Sequence, residues 1–187
     1  MNNKIKEFWD DLFAKQIDYT DISPEVLEKL MAENLEMKSF LDLGCGTGSL
    51  MRYFEAKGVT TAGADWSVEA IKIATEKGTK GSLYVQDLEE IENLKLDTKY
   101  DVIFLKLVLA FVTNKEALLS WCKDNLNTGG MVVVNTPVST KEVPSLKPGI
   151  AMDEDVVQSL LKAIFTEVTL THSETVKIGI IQTYFCK

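Results

Sequence analysis

The sequence predicts an α/β protein: a doubly wound, mostly parallel sheet with helices on both faces and an antiparallel C-terminal hairpin strand. Three observations carry that reading. Apolar runs of strand length alternate with helical stripes between residues 39 and 164. The segment Met131-Val132-Val133-Val134-Asn135-Thr136 is a continuous apolar run, as expected of a central parallel strand covered on both faces. The chain then closes with two β-rich segments, 166–175 and 178–186, near enough in sequence to pair as a hairpin.

In chain order, residues 4–15 place apolar side chains at 5, 8, 9, 12 and 13, the stripe of a helix. A second helix opens at Ser23-Pro24-Glu25, with Ser23 as N-cap and Pro24 in the first turn, and runs to about Met37. Strand 39–43 leads into helix 47–57, and strand 60–65 leads into helix 67–77 with Ser67 as its cap. Strand 82–86 follows Gly78 and Gly81. Strand 100–106 precedes a helix at 114–125, which ends near Asn127-Thr128-Gly129-Gly130, and the fifth strand is 131–136. Residues 137–152 hold Pro137, Pro144, Pro148 and Gly149 and read as the one long loop, before a helix at 153–164.

The stretch Phe40-Leu41-Asp42-Leu43-Gly44-Cys45-Gly46-Thr47-Gly48-Ser49-Leu50 reads as a buried strand, a glycine turn and the start of a helix. Positions without side chains let backbone N–H groups and a carbonyl approach a ligand at bonding distance. The dinucleotide fingerprint Gly-x-Gly-x-x-Gly/Ala needs a small residue at position 49, and Ser49 meets it only loosely. Glycines at 44, 46 and 48, with Asp42 two residues before the first, resemble the first motif of the class I S-adenosylmethionine (SAM)-dependent methyltransferases. The resemblance covers about residues 37–187. It implies a Rossmann-like fold of seven strands with the last antiparallel. Residues 37–187 then form the SAM-binding domain, and residues 1–36 an N-terminal helical cap or lid segment.

In an open α/β sheet the ligand lies beyond the carboxyl ends of the strands, so the site residues are sought there. Gly44, Cys45, Gly46 and Gly48 form the turn, with Cys45 read as a small filler rather than a nucleophile. Asp65 closes the second strand 17 residues after Gly48, where a carboxylate accepts bonds from both ribose hydroxyls. Asp87 ends the third strand. The resemblance gives it the adenine amino group and gives the Leu88 backbone N–H the ring, while a helix cap for 89–94 is the competing role. Trp66 is read either as stacking on adenine or as core. Asp42 either holds the turn or reaches the methionine ammonium through water. Lys106, the polar residue at the end of the fourth strand, is counted with the cofactor-binding residues and is the one candidate for chemistry. It binds an anionic acceptor or serves as a base, against the alternative of an ion-paired or solvent-reaching lysine.

The segment Leu105–Val112 aligns with a stretch where many small-molecule methyltransferases carry His, and here Ala110 and Phe111 stand instead. The single histidine, His172, falls in the C-terminal β segment and reads as structural or exposed. The opening Phe8-Trp9-Asp10-Asp11-Leu12-Phe13-Ala14 resembles those of small-molecule methyltransferases, the thiopurine and tellurite-resistance relatives among them, which fold over the cofactor. Trp9, Tyr19 and Phe111 are therefore candidates for the lid and acceptor side, against simple core packing.

Composition bounds the partners. A net charge of −8 without a basic stripe disfavours nucleic acid, whose binders neutralise phosphates. The three cysteines show no C-x-x-C spacing, so no metal site is expected. No apolar run reaches membrane-spanning length and the first residues lack a signal-peptide core, so a cytoplasmic protein is expected. The Asn-Pro-Pro-aromatic motif of amino-group methylation and the Pro-Cys nucleophile of cytosine methylation are both absent. The reading is a SAM-dependent methyltransferase moving a methyl group to a small-molecule acceptor, mainly by positioning. The alternatives are a non-catalytic SAM-fold module, an NAD(P)-dependent reductase and a protein methyltransferase. Acceptor and oligomeric state are not legible.

Overall fold

The computed structural model describes residues 3–15, 22–34, 36–145, 150–176 and 179–187. Its elements are α1 (Asn3–Ala14), α2 (Pro24–Glu33), β1 (Ser39–Leu43), α3 (Ser49–Glu55), β2 (Thr60–Asp65), α4 (Val68–Glu76), β3 (Ser82–Val85), β4 (Tyr100–Lys106), α5 (Lys115–Asp124), β5 (Leu126–Ser139), β6 (Met152–Asp153), α6 (Glu154–Ile164), β7 (Val168–Val176) and β8 (Gly179–Cys186). Short 3-10 turns at Leu88–Asn93 and Leu109–Phe111 follow β3 and β4.

The sheet runs β3-β2-β1-β4-β5-β8-β7. Pairs from β3 through β5 are parallel, while β8 is antiparallel to both β5 and β7. This is the expected doubly wound sheet with its terminal hairpin. A two-residue eighth strand, β6, adds to the edge of β5 and shortens the expected long loop.

Side-chain alternation along the strands feeds two cores. Phe40, Phe104, Val133 and Phe185 face Val26 and Leu30 of α2 and Leu50 and Phe54 of α3. Leu41, Leu43, Ile103, Val132 and Tyr184 face Leu118 and Leu119 of α5 and Val157 and Leu161 of α6. The Phe40 and Phe54 rings lie 4.3 Å apart, so truncating either to Ala removes about 3–5 kcal/mol of packing.

Three boundaries differ from the sequence expectation. Helix α2 ends at Glu33 rather than near Met37, because the Asn34 amide bonds the Leu30 carbonyl at 2.9 Å and competes with the helix for it. Ser23 sits at its N-cap, but its hydroxyl makes no cap bond; its carbonyl receives the Val26 N–H instead. The Asn127–Gly130 segment is not a turn ahead of β5 but lies within it. There the β4 register shifts between Tyr100 and Val102, Gly129 takes φ 79°, and the Asn127 amide donates to Asp101 at 2.7 Å.

The strand order reverses at β1, which pairs with β2 on one side and β4 on the other. The crevice beyond the carboxyl ends of β1 and β4 is where such a sheet receives its ligand.

Candidate functional site

The glycine turn is built by its bonds to β2. The N–H groups of Gly44 and Cys45 donate to the Ala64 carbonyl at 2.7 and 3.1 Å. The Gly46 N–H donates to Asp65 Oδ2 at 2.9 Å, and the Gly48 N–H to the Cys45 carbonyl at 2.9 Å. Gly44, Gly46 and Gly48 all hold positive φ, at 81°, 51° and 73°. The expected presentation of the turn's N–H groups to a ligand therefore does not hold for these four, which are satisfied within the protein. An anionic pyrophosphate needs such donors.

Asp65, 5% exposed, anchors this arrangement: its second oxygen accepts the Ser67 N–H at 2.9 Å. Each carboxylate oxygen can accept more than one bond, and Asp65 also lines the cavity at these strand ends. Ser67 caps α4 through Ala70 N, as the sequence indicated. Its hydroxyl also donates to Asp10 Oδ1 at 2.6 Å, which ties α1 to the rim.

One cavity lies at these strand ends. Asp42, Gly44, Cys45, Gly46, Asp65 and Trp66 form the wall from β1 and β2. Lys106, Phe111 and Leu88 add the wall after β4 and β3, and Trp9 closes it from α1. Phe13, Ser49, Leu50, Leu107 and Val108 also line it and were not singled out from sequence. Phe13 was visible in the stripe of the first helix, and Ser49 and Leu50 directly follow the turn. Leu107 gave no signal: it is the one non-glycine residue of positive φ (57°) among the described residues, held by its N–H on the Asn135 carbonyl at 2.8 Å.

Two expected site residues lie outside the cavity lining. Gly48 caps α3, with Thr79 Oγ1 2.6 Å from where its β-carbon would be. Asp87 lies outside the cavity wall, capping the 3-10 turn through Glu89 N at 3.1 Å and pairing with the Lys6 ammonium. Burial opposes its ionisation, yet the Lys6 and Glu89 donors hold its carboxyl below the usual range. Tyr19 lies outside the described residues. His172 is on β7, 3.1 Å from Glu25, and does not line the cavity. Cys122 and Cys186 are buried core thiols. Among the described residues no cluster of His, Cys, Asp or Glu is placed to hold a metal ion.

The aromatic side chains form a contiguous lining: the Trp9 ring meets Phe111 edge-on at 6.0 Å and stacks on Phe13 at 6.0 Å. A Tyr-x-x-x-Lys spacing, the pair a nicotinamide reductase needs, does occur at Tyr53–Lys57. It sits on and just past α3, with the ammonium 4.8 Å from the Tyr53 ring, and neither residue lines the cavity.

The fold and this site define a methyltransferase-type α/β domain, and the comparisons agree. The chain belongs to the family described as "Methyltransferase domain", whose profile matches residues 13–169. An uncharacterised protein of Haemophilus influenzae is 30% identical over 158 residues, covering 75% of this chain and 62% of that protein. A ubiquinone biosynthesis O-methyltransferase of Bradyrhizobium is 28% identical over 148 residues, covering 72% and 58%. The chain thus spans about three fifths of the length of these relatives. Among solved structures, an S-adenosylmethionine-dependent methyltransferase from Clostridium acetobutylicum aligns with TM-score 0.70 at 20% identity, over 99% of this chain and 98% of that one. TehB from Haemophilus influenzae aligns with TM-score 0.72 at 20% identity, over 96% and 67%. The shared architecture is the class I methyltransferase fold. No helix among the described residues is long and apolar enough to cross a membrane.

Proposed function

We propose that the chain is a SAM-dependent methyltransferase acting on a small-molecule acceptor. The observation that carries this reading is the electrostatics of the cavity. Two buried carboxylates, Asp42 and Asp65, face it, and the turn N–H groups that would cradle a pyrophosphate are already bonded. A cationic, phosphate-free cofactor fits these acceptors, whereas a dinucleotide's pyrophosphate would lack free N–H donors in the turn. SAM would supply an activated methyl group on a sulfonium, whose neutral thioether is a leaving group that needs no metal.

The protein's share is binding and alignment. In this reading Asp65 holds the ribose, Gly44, Cys45 and Gly46 contact the methionine arm, and Asp42 faces its ammonium. Trp66, Asp87 and the Leu88 backbone take the adenine. Lys106, Phe111 and Trp9 lie on the acceptor side, where an apolar lining excludes water and Lys106 either orients the accepting atom as an ammonium or takes its proton as a neutral amine. Holding the acceptor in line with the breaking bond accounts for much of the rate such an enzyme needs. Residues 1–36 act as a cover for the domain of residues 37–187, and the protein works in the cytoplasm without a nucleic-acid partner. That no histidine lines the cavity favours, as a second reading, a SAM-binding module without turnover.

Calorimetric titration with SAM, S-adenosylhomocysteine (SAH) and NADH, alongside Asp65→Ala, tests the proposal. SAM and SAH are expected to bind, NADH not, with affinity weakened in the variant. Binding of NADH in place of SAM and SAH overturns it. SAH binding without methyl transfer to any acceptor in a screen selects the module.

A further inference from the structure

We infer that α1 is a charge-latched cover, in which Lys6 holds in the closed state the same carboxylate that the adenine amino group takes in the loaded state. The inference rests on the cofactor reading above and goes beyond it by naming what competes with the cofactor.

Residues 6, 9, 10 and 13 share one face of α1 by helical spacing, and each meets the rim of the cavity. Asp10 accepts the Ser67 hydroxyl, Trp9 abuts Phe111, and Phe13 is buried in the cavity wall. Lys6 pairs with Asp87 Oδ2, and both side chains are about three quarters covered, at 28% and 24% exposure. The other Asp87 oxygen is fixed by Glu89 N, so Oδ2 is the atom an adenine amino group would use. The Lys6 ammonium also lies 5.8 Å from the centre of the Trp66 ring, the other proposed adenine contact. One lysine thus meets both groups assigned to the base.

The position of Lys6 sets the two states against each other. Seating the base between Asp87 Oδ2 and the Trp66 ring therefore displaces the Lys6 ammonium from both. A partly exposed ion pair contributes at most about 1 kcal/mol, so the latch lowers apparent affinity by up to about fivefold.

The test measures SAH affinity by calorimetry for the wild-type chain and Lys6→Gln, at about 0.05 M and about 0.5 M salt, where screening differs strongly. Hydrogen exchange of the α1 amides is followed in both proteins without ligand. Lys6→Gln is expected to bind SAH about three- to fivefold more tightly at low salt, with the difference vanishing at high salt, and to exchange faster in α1. Equal or weaker SAH binding in the variant at low salt overturns the competition. Unchanged α1 exchange overturns the latch itself. If neither protein binds SAH the cofactor reading falls, and α1 exchange still decides whether Lys6 holds the cover.

Discussion

Val108 occupies the space that a side chain on Gly44 would need: its Cγ2 lies 2.2 Å from the position of a Gly44 β-carbon. The contact locks the loop after β4 against the loop after β1, so these two walls of the cavity are one packed unit. Gly44→Ala should therefore cost about 2–4 kcal/mol, from overpacking together with the positive φ. Introduced beside Val108→Ala, it should cost only about 1 kcal/mol relative to that background, because the backbone strain alone remains. Urea midpoints of the four proteins measure this, and equal costs in both backgrounds would exclude the Val108 contact as the cause.

Asp65→Asn should separate scaffold from ligand binding. An amide presents one acceptor oxygen, so the Gly46 or the Ser67 N–H loses its partner. A buried donor left unpaired costs about 1–3 kcal/mol. The expected outcome is that loss in urea unfolding with SAH affinity down at least about tenfold. Unchanged affinity would remove Asp65 from the cofactor site.

Leu107 carries backbone strain beside Lys106. Replacing it with Gly removes a left-handed penalty of about 1–2 kcal/mol, offset by about 0.5–1 kcal/mol of unfolded-state entropy and by the lost side chain. Leu107→Gly should stay near wild-type stability, whereas β-branched Leu107→Val should fall clearly below it. Thermal denaturation of the pair reads the difference, and a Val variant as stable as the Gly variant would show the strain to be absent.

Acid stability should depend on Glu55 and Asp101. Burial opposes the ionisation of Glu55, but bonds from the Thr61 hydroxyl and the Gly81 and Lys80 N–H groups hold its carboxyl below the usual range. Burial likewise opposes that of Asp101, and donors from Asn127, Lys38 and Ser39 lower it. Folded values below the unfolded ones contribute stability that is complete above roughly pH 4 and is lost as pH falls through the lowered values. Glu55→Gln should flatten the urea midpoint against pH in that acid range and leave its slope near neutrality unchanged. An identical acid slope in the variant would count against Glu55.

Lys106→Met should leave SAH affinity within about twofold while methyl transfer to an identified acceptor drops at least about tenfold. Full turnover in the variant would take Lys106 out of the chemistry.

The sequence by itself determined the order and class of the elements and the strand ends on which the site stands. Continuous and alternating apolar patterns are local records of burial, and the glycine turn with Asp65 seventeen residues on is a local record of backbone shape. That is why Asp42, Gly44, Gly46, Asp65, Trp66 and Lys106 could be named before the chain was folded, and why they meet around one cavity. Only the tertiary structure decided what each polar group bonds. Nothing near Asp87 in sequence foretells Lys6, 81 residues away, and nothing near Gly46 foretells that its N–H is taken by Asp65. The left-handed Leu107 was equally hidden, because its conformation is imposed by the Asn135 carbonyl on the neighbouring strand and not by any preference of leucine. Periodicity encodes which face a residue turns inward, but partner choice depends on which distant segments share that interior, and that is settled only when the sheet closes its register.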